Sequence, residues 1–328
     1  MSEYKVVHLS PTPLVGAPAK ISKTLCDIGI NSSCVILRDY PPHSGLSNFF
    51  ISHATLANDS FDEIMAKCEC ADIIHIHNDI PQSLAKKLFT LNHKIFIYQV
   101  HSPLREGPLY YERSKYLGLD FSKKLVVAQY QPRLYPNYTL VPNITLYQPC
   151  VTYRKVGEPL KVMFSPSHKR GGRWNIKVCS RTERAIEAVS SRNDVEVLFL
   201  NKPEHPNKLF KARCLAHVTI DEVLTGAYHQ VSLEGLCAGN IVFNRADYFS
   251  KISLRNVAGS ENCPPFIYTE PKSLESNLIM FAENVELTNA LKRESKDYYS
   301  THLLPNKLIG KYVEIYQEVF EKSHKRSH

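Results

Sequence analysis

One acid stands out in the stretch VTIDEVLTGAYHQVSLEGLCAGNIVFN, Val218 to Asn244. The stretch reads as a short strand, a Gly-containing loop at Gly226, a helix start that holds Glu234, then small residues and a buried strand. An acid at a helix N-terminus accepts hydrogen bonds from ligand hydroxyls while the helix dipole stabilises its charge. Gly235, Ala238 and Gly239 let that helix lie close to a sheet or a ligand. A second group is basic. In SPSHKRGGRWNIK (Ser165 to Lys177), Lys169, Arg170, Arg173 and Lys177 follow one another closely, and Arg181 and Arg184 come soon after. Such a loop suits a diphosphate, because Arg supplies paired donors and Lys a point charge. A third group is imidazole. His75 and His77 in DIIHIHN alternate onto one strand face, and His101 ends the strand-like KIFIYQVHS, with Arg105 in the loop beyond. Two imidazoles make an incomplete metal site and no third ligand is evident, so the pair reads as structural and no metal is expected.

The elements that must carry these groups alternate. In the first half, Lys5–Pro11, Ser33–Asp39, Ala71–Asp79, Lys94–Ser102 and Lys124–Gln131 are short, continuously apolar strands. Helical spacing of Ile21, Leu25 and Ile28 ends at Gly29, and Pro81 opens a helix through Leu91. After a Pro/Gly linker at 147–159 the pattern restarts. Strands are expected at Leu160–Ser167, Val195–Leu200, His217–Ile220, Asn240–Asn244 and Pro265–Thr269, with a helix from about Lys177 to Ser190. Continuous apolar strands separated by helices predict parallel sheets covered on both faces. Two such α/β domains bind ligands at strand carboxyl ends. The loop Ser10–Pro18, with Gly16 at a helix start, therefore belongs with the candidate ligand contacts. The last segment, 306–322, puts Leu308, Tyr312, Ile315, Tyr316 and Val319 on one helical face.

These motifs, in this order, resemble the GT-B glycosyltransferases, in particular the retaining nucleotide-sugar-dependent group. There a Gly-rich loop precedes a helix reading roughly S-L-E-A-M-A-x-G. The matching residues here are Gly226, Ser232, Leu233, Glu234, Ala238 and Gly239. The strand with His75 and His77, the strand-end His101 and the VPN at Val141–Asn143 are similar echoes. The resemblance implies a domain 1–150 on the acceptor side and a nucleotide-sugar domain 157–305. It also implies a segment 306–328 whose helix crosses back to the first domain. Glu234 would hold the donor ribose, and Lys177 and Arg173, with Arg170 and Ser167, the diphosphate. His101 would sit near the anomeric centre, and Gly16, Gly226, Ser232 and Leu233 would line the donor site. Arg105 would meet acceptor or phosphate. The chain departs from the group in two places. Val178–Cys179 stand where Gly-Thr is usual after the Lys, and Gly226 stands where an acid is usual eight positions before Glu234, with Asp221 and Glu222 the nearest acids upstream.

The activity that the resemblance implies is that of a metal-independent hexosyltransferase. It would use a UDP- or GDP-sugar as donor substrate, with no permanently bound cofactor, and act on a glycan or lipid-linked acceptor of a cell-surface polysaccharide or lipopolysaccharide. The chain has no Asp-x-Asp triplet for a divalent ion. A nucleotide-sugar 2-epimerase and a DNA-modifying or non-catalytic GT-B-like protein are the alternatives. Net charge is +8, with 14 basic against 12 acidic residues in 1–150 and 26 against 20 in 151–328, so the excess lies mostly in the second half. The basic residues cluster in one loop rather than along an aromatic-interleaved stripe, so no nucleic-acid partner is expected. No signal peptide or membrane span is evident, and nine scattered cysteines suggest reduced thiols in a cytoplasmic protein with peripheral contact at the inner membrane face. The lone Cys68-x-Cys70 lacks partners at zinc spacing.

Overall fold

The computed structural model describes residues 4–39, 54–57, 61–101, 107–166, 178–200 and 204–326. The chain divides into two compact units, residues 1–144 with 305–328, and 145–304.

Unit 1 is built on a parallel sheet of seven strands among the described residues. They are β1 (Lys5–Ser10), β2 (Asn31–Ile36), β3 (Thr55–Leu56), β4 (Ile73–His77), β5 (Ile95–Val100), β6 (Phe121–Val127) and β7 (Thr139–Val141). Their order is β3-β2-β1-β4-β5-β6-β7, so the chain winds one way from β1 and the other way from β4. Every residue of β4 and β5 is buried, which is why both strands are continuously apolar apart from their histidines and Gln99. The helices are α1 (Ala17–Asp27), α2 (Asp62–Glu69), α3 (Gln82–Leu88) and α4 (Leu109–Tyr116). Ile64, Leu84, Leu88, Ile74, Ile76 and Tyr98 meet in one core.

Unit 2 has five parallel strands among the described residues. They are β8 (Leu160–Phe164), β9 (Val195–Phe199), β10 (Val218–Ile220), β11 (Ile241–Asn244) and β12 (Phe266–Tyr268), in the order β12-β11-β10-β8-β9. Helices α5 (Ser180–Ser190), α6 (Pro206–Leu215), α7 (Gln230–Cys237), α8 (Tyr248–Val257), α9 (Leu274–Glu283) and α10 (Val285–Tyr298) surround it. The stretch anticipated as a linker is an ordered part of this unit. Arg154 is buried and donates from Nη1 to the carbonyls of Phe281 and Ala282 at 2.8 Å each, a cation on the C-terminal end of α9. A π-helical turn, Tyr299–Leu303, ends the unit.

The chain then adds α11 (Pro305–Leu308) and α12 (Gly310–Arg326) to unit 1. Leu308, Tyr312, Ile315, Tyr316 and Val319 are all buried. Tyr312 donates to the Pro142 carbonyl at 2.9 Å and accepts from Gln99 Nε2 at 3.1 Å.

The cysteine expectation needs correcting. Cys150 and Cys214 form a disulfide with Cα atoms 6.1 Å apart, leaving seven free thiols. The two lie 64 positions apart in sequence and meet only because the start of unit 2 runs beside the end of α6.

Candidate functional site

In a doubly wound sheet, ligands bind outside the carboxyl ends of the strands where the winding reverses. In unit 2 that point lies between β8 and β10, and its loops begin at Ser165 and Asp221.

Two buried acids build the loop after β10. Asp221 Oδ2 accepts from the backbone N–H of His229 at 2.6 Å and from Ser232 Oγ at 2.7 Å. His229 is the N-cap of α7 but makes no side-chain cap, so Asp221 fixes the start of the helix from outside it. His229 Nδ1 lies 3.5 Å from Asp221 Oδ1, and Asn244 Nδ2 donates to Ser232 Oγ at 2.9 Å. Glu222 accepts from the N–H groups of Leu224 and Thr225 and from the Thr225 hydroxyl. Burial raises its pKa above the ordinary carboxyl value. Both acids are thus consumed by their own loop. Gly226 turns that loop with φ +88°, and a Cβ there would lie 3.5 Å from Asp247 Oδ2.

Glu234 is not at the helix N-terminus. It is the fifth residue of α7, whose first turn carries no acid, so the dipole contributes less to its charge than expected from the sequence. A buried cation does more. Arg213, on α6, places Nη1 3.4 Å from Glu234 Oε2, with side chains 1% and 13% exposed. Its Nη2 donates to Ser165 Oγ at 3.0 Å, the residue that leads into the basic loop. Arg213 therefore joins two segments the sequence marks separately. The sequence does not mark it: nothing in KARCLA distinguishes a buried Arg from a surface one, except its place three residues after the buried Phe210. Ser232 and Leu233 lie on the buried face of α7. Gly235 and Gly239 serve packing against protein. A Cβ on Gly235 would fall 2.8 Å from Val242 Cγ2, and one on Gly239 2.9 Å from the Cys150 carbonyl. Ser167, Lys169, Arg170, Arg173, Lys177 and Arg105 lie outside the described residues.

In unit 1 the winding reverses between β1 and β4. Gly16 is the left-handed N-cap of α1 at φ 76°, preceded by Leu14 and Val15, also at positive φ. Its N–H is committed to the Pro13 carbonyl at 2.8 Å rather than offered outward. A cavity of about 500 Å³ opens beside this reversal, lined by Pro11, Arg38, Asp79, Ile80, Arg113 and Tyr116 among others. Arg113 Nε donates to Asp79 Oδ2 at 2.7 Å.

The histidines of unit 1 form a chain that is only partly legible in the sequence. Register pairs His8 of β1 with His75 of β4, which brings a third imidazole beside His75 and His77. His77 Nε2 meets His8 Nδ1 at 2.9 Å, and His77 Nδ1 meets His101 Nε2 at 2.9 Å. His75 Nδ1 meets the Tyr316 hydroxyl at 2.7 Å, and the His75 and His77 rings stack 4.2 Å apart. Burial, then the neighbouring imidazoles, holds His75 and His77 well below the ordinary histidine range, and burial pushes His8 and His101 down to about 3. All four are neutral at physiological pH. His101 is half-buried at the strand end, where Asn78 Oδ1 accepts its backbone N–H at 2.6 Å. Asn78 itself sits at φ 59°, a conformation Asn tolerates better than most residues.

His8, His75 and His77 offer nitrogens within 4.8 Å of one another, so a third ligand does exist for a metal. Yet both His77 nitrogens are already hydrogen-bonded, and none of the causes that shift these pKa values is a carboxylate. A dication there would be buried without a compensating charge.

No protein-family model and no curated protein sequence matches the chain. Solved structures do. HepE from Anabaena in complex with UDP-glucose aligns over 95% of this chain and 100% of its own, with 13% identity and a TM-score of 0.63. An α-glucosyltransferase bound to UDP and DNA aligns over 96% and 99%, with 10% identity and a TM-score of 0.61. A protein of Listeria monocytogenes assigned as a UDP-N-acetylglucosamine 2-epimerase aligns over 98% of each chain, with 13% identity and a TM-score of 0.56. The fold is GT-B. At these identities the likeness speaks for the architecture, which is the two-sheet α/β class expected from the strand pattern.

Proposed function

We propose that this GT-B protein is a glycosyltransferase that moves a sugar from a nucleotide diphosphate sugar to a hydroxyl acceptor. The observation that carries the reading is Arg213, which ties Ser165, at the mouth of the basic loop, to Glu234 on α7 at the winding reversal of unit 2. In this reading Arg213 holds one carboxylate oxygen of Glu234, and the other accepts from the ribose hydroxyls. The residues of the basic loop, Lys177, Arg173 and Arg170 with Ser167, neutralise the departing diphosphate. Such a charge clamp stabilises the leaving group without needing a metal. Gly226, Ser232 and Leu233 shape the donor side of α7. The buried acids Asp221 and Glu222 hold its loop and are not spare to read the sugar.

Unit 1 supplies the acceptor side. In this reading His101, just after β5, is the residue of unit 1 that contacts the sugar, and the cavity with Arg38, Arg113 and Tyr116 receives the acceptor. A UDP- or GDP-sugar is the favoured donor, and the structures of HepE with UDP-glucose and of the α-glucosyltransferase with UDP support the first of these. Retention of configuration, a cell-surface glycan acceptor, and a cytoplasmic site of action with contact at the inner membrane face complete the proposal. No described helix is long and apolar enough to cross a membrane.

Calorimetric titration with UDP, GDP, ADP, CMP and dTDP tests it. We expect micromolar binding of one diphosphate, weakened about tenfold or more by Glu234→Gln, since a charged acceptor is lost. Absence of binding by all five would overturn the reading. A sugar product formed without any acceptor would replace it with the epimerase reaction.

A further inference from the structure

The three linked imidazoles of unit 1 leave no freedom to choose their tautomers separately. A neutral imidazole carries one N–H, and each hydrogen bond needs one proton between its two nitrogens. If His77 carries its proton on Nδ1, it donates to His101 Nε2 and accepts at Nε2 from His8 Nδ1–H. His101 must then be protonated on Nδ1, the nitrogen facing away from the chain. If His77 instead carries its proton on Nε2, every member inverts, and His101 Nδ1 becomes a bare lone pair. Two states exist, and they differ at both ends.

The inner end decides between them. His8 is fully buried, and among the described residues its Nε2 meets no hydrogen-bond partner. In the first state that orphan is a lone pair. In the second it is an N–H. Orphaned buried N–H groups are the rarer and costlier of the two. Among the described residues nothing hydrogen-bonds His101 Nδ1, and the half-buried ring leaves that nitrogen open to water or a ligand.

We propose that His8 and His77 are positioning residues that lock His101 in the Nδ1–H tautomer, so that His101 meets its ligand as a neutral hydrogen-bond donor and not as a general base. A donor of this kind suits a sugar hydroxyl or a glycosidic oxygen gaining negative charge. The tautomer follows from the geometry of unit 1 alone. Its use on a sugar rests on the glycosyltransferase reading.

Long-range proton–nitrogen correlation spectra of the full chain, labelled with ¹⁵N at histidine, test the proposal. The His101 signals are assigned by their loss in His101→Asn. We expect His101 Nδ1 at a protonated nitrogen shift and Nε2 at an unprotonated one. His77→Phe removes the donor to His101 Nε2 and should return His101 to a tautomer mixture, with His8→Phe falling between. If His77→Phe and His8→Phe fail to fold, the wild-type spectrum, assigned with His101→Asn, still decides: His101 as Nε2–H, or as a mixture, overturns the lock. In sugar transfer, His77→Phe should lower kcat by about tenfold with KM for the nucleotide sugar unchanged, because one donor is displaced and not the donor site. A spectrum showing the lock in a protein that binds no nucleotide would keep this inference and sink the glycosyltransferase reading.

Discussion

The two units solve one problem with opposite chemistry. Each must hold polar groups in or beside a buried parallel sheet. Unit 1 uses neutral imidazoles bonded to one another and to Tyr316. Unit 2 uses carboxylates, one pair spent on backbone N–H groups and Glu234 set against Arg213. The first network carries no net charge and is settled by where protons sit. The second carries charge and is settled by which donors face it. One edge is therefore suited to directing a proton or a hydroxyl, the other to holding an anion's partner in place.

Acid should separate them most. The folded His8 resists protonation down to about pH 3, while an unfolded histidine protonates near 6.5. Stability from a neutral imidazole is therefore complete above about pH 6.5 and drains as pH falls, until the folded state itself protonates. Each imidazole that stays neutral at pH 5 should cost about 2 kcal/mol there. Glu222 runs the other way. Its raised pKa means that burial of its charge weighs on the fold at neutral pH and is relieved as pH falls through that pKa. Unfolding free energies from urea titrations at pH 7 and 5 should thus drop by several kcal/mol, and the drop should shrink in His8→Phe. An unchanged pH dependence in that variant would break the comparison.

Asp221→Ala comes next. It leaves the His229 N–H and the Ser232 hydroxyl without their acceptor, at about 2–4 kcal/mol by urea unfolding. Gly235→Ala forces a methyl to 2.8 Å from Val242 and should cost about 1–3 kcal/mol, which calorimetric melting would read. The smallest effect belongs outside both networks. Lys23→Ala breaks an exposed pair with Asp27 and should change stability by less than about 0.5 kcal/mol.

The sheets were legible because β4, β5 and β8 are too continuously apolar to be anything but covered strands. The pairings across the sheets were not. His8 hides in KVVHLS as one polar residue in an apolar strand, and only its register against His75 makes it a member of a cluster. Arg213 and Glu234 sit on different helices with no shared periodicity, so neither announces the other. Asp221 and Glu222 are visible in the sequence only as the nearest acids upstream of Gly226, because the N–H groups of Leu224, Thr225 and His229 that they hold leave no mark in it. Glu234 lies deeper in α7 than the sequence suggests, because the helix opens at Gln230, directly after the extended His229. Helices α6, α8 and α10 bury largely polar faces, with Arg213, Ser250, Ser253, Thr288, Lys292 and Ser295 among them, so no apolar period marks them, whereas α9 does carry one in Leu274, Leu278 and Phe281.

The return of α12 to unit 1 has a consequence for how the protein is made. Tyr312 and Tyr316 supply the hydroxyls that meet Gln99 and His75, yet all of unit 2 lies between those strands and that helix in the chain. A ribosome therefore finishes the second unit before it delivers the piece that seals the first. Until then the nascent first sheet carries buried-type polar groups and an apolar face open to water, and chaperones that bind such faces have their longest window there.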